Sequence, residues 1–330
     1  MHGNFEDPAT GLELLELCRV RSAATRIRHL TYGVCGARSL GMYTGVIDGN
    51  AWRTQFGIEV DGFDQAGLVT EAMRIPGSRV EPHLAWVKST FGKINVSDEV
   101  LGAQLRLYLA VKDIIAFRGY DFVSLRCLPE MPTAYTTFCL AHALLNDASD
   151  AEGPKPRVVC ACEADSNGAL TMMMLSLLSD APVMMGDVWH VDKQSDVLRL
   201  SNCGSQPTDM AKSRKDVNLV PHQFTEFEWR IGACCPQAIA KPGKVTLARL
   251  GRVAGKYTCL ITTGDALDIP LEEVAGTFWG FSPHIFIHLD SGYAAFMQEL
   301  RCNHMHVTYG DYKKQMAELC RMFDVRPILI

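Results

Sequence analysis

The chain has 330 residues, of which 48% are hydrophobic and 21% charged, as expected for a globular protein of about two domains and unlike a disordered, collagen-like or coiled-coil chain. Its 32 Lys and Arg against 37 Asp and Glu give a net charge of −5 with no basic stripe, so neither nucleic acid nor an anionic membrane is an expected partner. The richest apolar run, Ala169 to Ser179, stops at Asp180 and is too short to cross a bilayer. Residues 1–12 hold no apolar leader segment, and the expected compartment is the cytoplasm.

The first half alternates strand and helix patterns. Arg28–Cys35 reads as a strand, followed by a Gly-bracketed turn over Gly41–Gly45 that can either cradle a phosphate or sugar or serve as a tight structural turn. Ile58–Phe63 is a second strand. Ser97–Gly119 is the longest helical pattern, with Ser97 as N-cap, Asp98 and Glu99 in the first turn and Gly119 as the stop. Asp121–Cys127 reads as a buried strand, Thr133–Asn146 as a helix, Arg157–Glu163 as a strand, Ser166–Ser179 as a helix and Pro182–Asp187 as a strand. This rhythm predicts a Rossmann-like α/β domain with a parallel sheet over residues 1–178.

A mostly β domain is predicted over 179–330. Val197–Asn202, Val245–Arg252 and Lys256–Thr262 are β-rich, with Gly251–Gly255 as a hairpin link. A terminal helix (Asp311–Phe323) and strand (Arg326–Ile330) close the chain. The twelve cysteines include no Cys-x-x-Cys pair, so they are read as reduced, packed thiols, with Cys203 as the one candidate exception. Neither a G-x-G-x-x-G nor a G-x-x-x-x-G-K-[ST] sequence occurs, and no nucleotide cofactor is expected.

Glu163 and Asp187 carry the chemistry. Each falls at the end of a predicted parallel strand, and ligands of open α/β sheets bind beyond such ends. Two acids held about 5 Å apart repel, and a divalent ion relieves that conflict. Spacing alone leaves open that the loop merely supplies an N-cap, with Asp165 or Ser166 capping the next helix. The Asn303-His304-Met305-His306 segment, read as a polar loop, can add an imidazole, giving a mixed oxygen and nitrogen set suited to Mn²⁺ or a similar cation. His306 and His190 are rival ligands.

Three motifs together, Cys162-Glu163-Ala164-Asp165-Ser166-Asn167-Gly168, Gly186-Asp187-Val188 and Cys302-Asn303-His304 with Tyr309-Gly310, resemble the L-fucose isomerase / L-arabinose isomerase family, and its fucose isomerase branch most closely. The resemblance implies that Glu163, Asp187 and His304 bind a divalent ion, usually manganese, and that Glu163 and Asp187 also serve as the acid/base pair. It implies sugar contacts from Asn303 and from Cys203, the latter at a position where the family has serine. It further implies that an N-terminal domain present in the family has no counterpart here. Oligomeric assembly follows by the same resemblance, with a second chain as one way to complete the sugar pocket.

Arg126 and Glu130 lie after a strand on the same edge and can meet a sugar hydroxyl, form a salt bridge or cap a helix. Trp279 can stack on a sugar or fill a core, and Met172, Met173 and Met174 read as core. Two functions fit this reading: a metal-dependent aldose–ketose isomerase acting on a free sugar, and a catalytically reduced sugar- or metal-binding protein that keeps the fold.

Overall fold

A computed structural model describes residues 7–204 and 206–330. Residues 1–6, part of the segment read as lacking a leader, lie outside the described residues. The described chain begins with a helix, Pro8–Ile27, whose N-cap Asp7 accepts from Ala9 N at 3.2 Å.

Four strands, β1 (Thr31–Cys35), β2 (Glu59–Phe63), β3 (Phe122–Leu125) and, after the two-residue β4 (Ser149–Asp150) and β5 (Gly153–Pro154), β6 (Val159–Cys162), form a parallel sheet in the order β2-β1-β3-β6. Successive side chains point to opposite faces, so Phe122 and Ala161 join one core while Val123 and Cys160 join another. The first core holds the Pro8–Ile27 and Ser166–Ser179 helices, including Met172, Met173 and Met174. The second holds the Asp98–Arg118 helix, which starts at the Ser97 cap and ends at Gly119 with φ of 69°. There a left-handed backbone ends the helix at no steric cost.

The remaining strands are β7 (Val183–Val191), β8 (Val197–Ser201), β9 (Asn218–Pro221), β10 (Cys234–Gln237), β11 (Gly243–Val253), β12 (Lys256–Ala266), β13 (His284–Leu289), β14 (His304–Tyr309) and β15 (Arg326–Leu329). The order β11-β14-β7-β8-β13-β12 closes on itself through the β11–β12 pairing, giving a barrel-like sheet with β15 added in parallel to β12. Met184, Leu200, Leu247, Ile285 and Val307 share one core of this sheet. Their neighbours Met185 and Ala248 pack on the Ser166–Ser179 helix instead. That helix is therefore the wedge between the sheet and the barrel, and its buried run of apolar residues follows from having apolar partners on both sides.

Several expectations are corrected. The strand predicted at Pro182–Asp187 runs on to Val191 and belongs to the barrel, antiparallel to β14 and β8. Asp187 is thus inside a strand, not at the end of a parallel one. His304 opens β14 rather than lying in a loop. The helix predicted over Thr133–Asn146 is two short helices, Glu130–Ala134 and Cys139–Asn146, because Thr136 Oγ1 leaves the helical path to donate to Gly232 O at 2.6 Å. The β11–β12 turn is the two-residue Ala254-Gly255, both at positive φ (49° and 79°), which matches the strand twist better than the longer link expected. Helices at Gly49–Gln55, Gln65–Arg74 and Gly77–Thr90 have no counterpart in the predicted elements. Among the described residues no helix is long and apolar enough to cross a membrane.

Candidate metal centre

Glu163 follows β6 directly. It and Ala164 are both left-handed, with φ of 61° and 52°. Such backbone costs about 1–3 kcal/mol per residue and persists only where the surroundings hold it. The turn is pinned by Ala164 N to Leu125 O, Asp165 N to Cys162 O and Ser166 N to Gly45 O. It lets the chain leave the sheet, set Glu163 toward the barrel and start the Ser166–Ser179 helix at once.

Asp187 and His304 are brought together by strand register, since they are direct partners in the antiparallel β7–β14 pair. His304 Nε2 lies 3.3 Å from Glu163 Oε2 and 3.3 Å from Asp187 Oδ1, and one donor atom from each of the three residues lies within 4.8 Å of the others. His304 Nδ1 meets Asp165 Oδ2 at 2.7 Å. Asp165 caps the following helix through Gly168 N (2.9 Å) and pairs with the buried Arg249, whose Nη2 donates to its Oδ1 at 3.2 Å. One carboxylate therefore both caps the helix, as considered for Asp165, and supports the imidazole.

Asp187 is fixed from two sides, by Asn303 Nδ2 (2.8 Å) and Asn202 Nδ2 (3.1 Å). Thr44 O accepts from Asn167 Nδ2 (2.7 Å) and Arg249 Nη2 (3.2 Å), so the Gly41–Gly45 turn braces the centre. A Cβ on Gly45 would stand 3.2 Å from Asp165 Cα, a tight contact that glycine avoids.

Burial pushes the Glu163 carboxyl up, with Asp187 and Asp165 adding to that and His304 opposing it. Burial would also raise Asp165, but Arg249 and His304 outweigh it and hold this carboxyl well below the usual range. For His304 burial favours the neutral ring, yet the charge of Glu163 and the closeness of the Asp165 and Asp187 carboxylates leave it well above its ordinary value.

These features fit a divalent cation. His304 Nε2 is buried without a hydrogen-bond partner among the described residues, and it faces two carboxylates. Asp165 on Nδ1 keeps that nitrogen protonated and leaves the Nε2 lone pair free to ligate. Once the His304 ring gives up its Nε2 proton, three carboxylates against one guanidinium leave two negative charges uncompensated around it, the charge such an ion brings.

A family profile described as L-fucose isomerase, C-terminal domain, matches residues 200–329, which include Asn202, Arg249, Asn303 and His304. The sulfoquinovose isomerase of Alkalicoccus urumqiensis is 26% identical over 334 residues, covering 98% of this chain and 70% of that protein. Sulfoquinovose isomerases of Clostridium sp. (strain MSTE9), 26% identical over 81% of this chain and 57% of that protein, and of Priestia aryabhattai, 22% identical over 98% and 69%, also align. Over residues 200–329 this chain is similar to the C-terminal domain of L-fucose isomerase, and over most of its length it is similar to these sulfoquinovose isomerases. It spans between 57% and 70% of the length of these relatives.

The other expected site residues are placed as follows. Asn303 spends its amide on Asp187, which makes it a holder of the carboxylate. Cys203 points away from the three-residue centre, and its thiol meets Cys139 and Cys162. Arg126 pairs with Glu130 and donates to Arg38 O at 3.3 Å. Trp279 stacks on Phe281 (5.4 Å between centroids) and meets Trp189, two residues beyond Asp187 on β7, at 4.5 Å with tilted rings. His306 is buried with Nδ1 on Ala248 O and its pKa pushed down to about 3, while His190 is exposed near Asp192, so neither joins the centre. Arg249 and Asn202 were missed as site residues. An arginine in the middle of a mostly apolar predicted strand was the available signal for the first.

Proposed function

We propose that this chain is a metal-dependent aldose–ketose isomerase, with Glu163, Asp187 and His304 holding a divalent cation such as Mn²⁺. The observation that carries the proposal is the unpartnered, buried Nε2 of His304 set between two carboxylates. When bound, the cation supplies Lewis acidity that polarises a sugar carbonyl and acidifies the neighbouring C–H.

What the protein's own groups do follows from their geometry. An aldose and its ketose differ by one hydrogen moved between C1 and C2. One carboxylate of the Glu163/Asp187 pair takes the C2 proton, giving a cis-enediol, and a proton is returned to C1 as the oxygens exchange roles. Glu163, whose basicity is raised by burial, is the proposed proton carrier. Asp187 is held by two amides and so keeps one orientation through the cycle. Asp165 and Arg249 keep the His304 ring in a single tautomer.

The substrate is a free aldose. The relatives' name puts sulfoquinovose first in any panel, with L-fucose and L-arabinose next. Because the chain spans only part of those relatives, we further propose that a second chain, as in a homo-oligomer, completes the sugar pocket. The test is ketose formation from each sugar with and without Mn²⁺, together with exchange of the C2 hydrogen in D₂O. Ketose and exchange that both fall ~10²-fold or more in Glu163→Gln support the reading. Stoichiometric metal and sugar binding with no exchange in any of them would instead leave a binding protein.

A further inference from the structure

Two cysteines adjoin the metal centre in the chain, Cys162 before Glu163 and Cys203 after Asn202, and their thiols touch each other. They lead into a second convergence of donor atoms that isomerisation does not use. Cys139, Cys203 and His222 each present one donor atom, all within 4.8 Å of one another. Cys139 opens the Cys139–Asn146 helix, Cys203 follows β8, and His222 follows β9. Cys235, on β10 beside β9, meets Cys139 just outside this three-residue grouping.

The backbone permits this approach at one point. A Cβ on Gly204 would lie 2.4 Å from Cys139 Cα, so only glycine lets the 202–204 turn rest against that helix start. The site is dry: Cys139 and Cys235 are at most 1% exposed, and the rings of Phe224 and Phe281 lie 4.4 and 5.0 Å from that of His222. His222 Nε2 is itself buried without a hydrogen-bond partner among the described residues.

A tetrahedral zinc ion with Zn–S of about 2.3 Å sets its ligand atoms about 3.8 Å apart, which is compatible with this grouping. Thiolates and imidazole without carboxylate select soft or borderline cations, unlike the acid-rich centre next to it. We propose that Cys139, Cys203 and His222 hold a structural cation of the Zn²⁺ class, with Cys235, beside Cys139, moving in as the fourth ligand on loading. Binding at His222 Nε2 moves the ring proton to Nδ1 and ends its 3.3 Å acceptance from Phe224 N, so the segment from Phe224 rearranges on loading. The bound ion ties the 139–146 helix to the 202–204 turn, and through Asn202 it steadies Asp187.

The proposal does not rest on the isomerase reading, and Cd²⁺ tests it on the reduced, chelator-stripped full chain. The expected result is a thiolate-to-cadmium charge-transfer band that saturates at one equivalent, is displaced by Zn²⁺ and is unchanged in Glu163→Gln. Cys203→Ser and His222→Gln should each weaken Cd²⁺ binding more than ~10-fold. No band in the wild-type chain, a band unaltered by both substitutions, or a Cys139–Cys203 disulfide that persists after reduction would overturn it.

Discussion

The two donor clusters sit side by side yet are built on opposite principles. Around His304 the candidate ligands are polar and partly open, with the Glu163 and Asp187 side chains 12% and 21% exposed, and Asp187 and His304 are each steered by a further polar group. Around Cys139 the donors are thiols and an imidazole, enclosed by aromatic rings and brought close by a glycine turn. An open position beside a metal is what a substrate needs, while a closed shell serves only to hold chain segments together. The contrast teaches that electrostatic support, not burial, marks the reactive cluster.

The largest expected effect breaks that support. Asp165→Asn leaves Arg249 buried without its partner, which should cost about 3–5 kcal/mol in denaturant unfolding. It should also lower Mn²⁺ affinity by ~10–100-fold, because the His304 ring loses its holder. An unchanged affinity would mean that Asp165 acts only as a helix cap.

An acid titration sharpens the comparison from the thiol side. His142, one turn beyond Cys139, is held neutral by burial with its pKa pushed down to about 4. Its unfolded value is about 6.5, so its contribution to stability is complete above that pH and disappears as pH falls toward 4. The loss should be on the order of 3 kcal/mol, and His142→Asn should flatten that limb of a stability–pH curve measured in urea.

Chelation comes next. Mn²⁺ at ~100 times its dissociation constant should add about 2.7 kcal/mol to stability, and a chelator should remove it, as read by thermal unfolding of the wild-type chain. Smallest is Gly45→Ala, whose methyl group presses on Asp165; about 1–3 kcal/mol of overpacking is expected in the same unfolding assay.

The sequence made the three ligands legible because each stands in a short motif with few alternatives. The geometry that unites two of them was not legible. His304-Met305-His306-Val307-Thr308-Tyr309 is buried along almost its whole length, so it shows no alternation that would separate a strand from a loop. The β7 strand was assigned to the parallel sheet because a strand–helix–strand rhythm normally returns the chain to the same sheet. Here the Ser166–Ser179 helix instead hands it to the barrel. Short helices of mixed polarity, such as Gly77–Thr90 with Pro82 inside it, carry too little periodic signal to be read. The thiol cluster joins residues from distant segments, and no spacing rule covers such a set.

The account depends most on a cation sitting among Glu163, Asp187 and His304. Crystals grown with Mn²⁺, measured at the manganese absorption edge, test this directly. One anomalous peak within bonding distance of a Glu163 oxygen, an Asp187 oxygen and His304 Nε2 is the predicted result. A map with no peak there, or with its main peak on other residues, would contradict it.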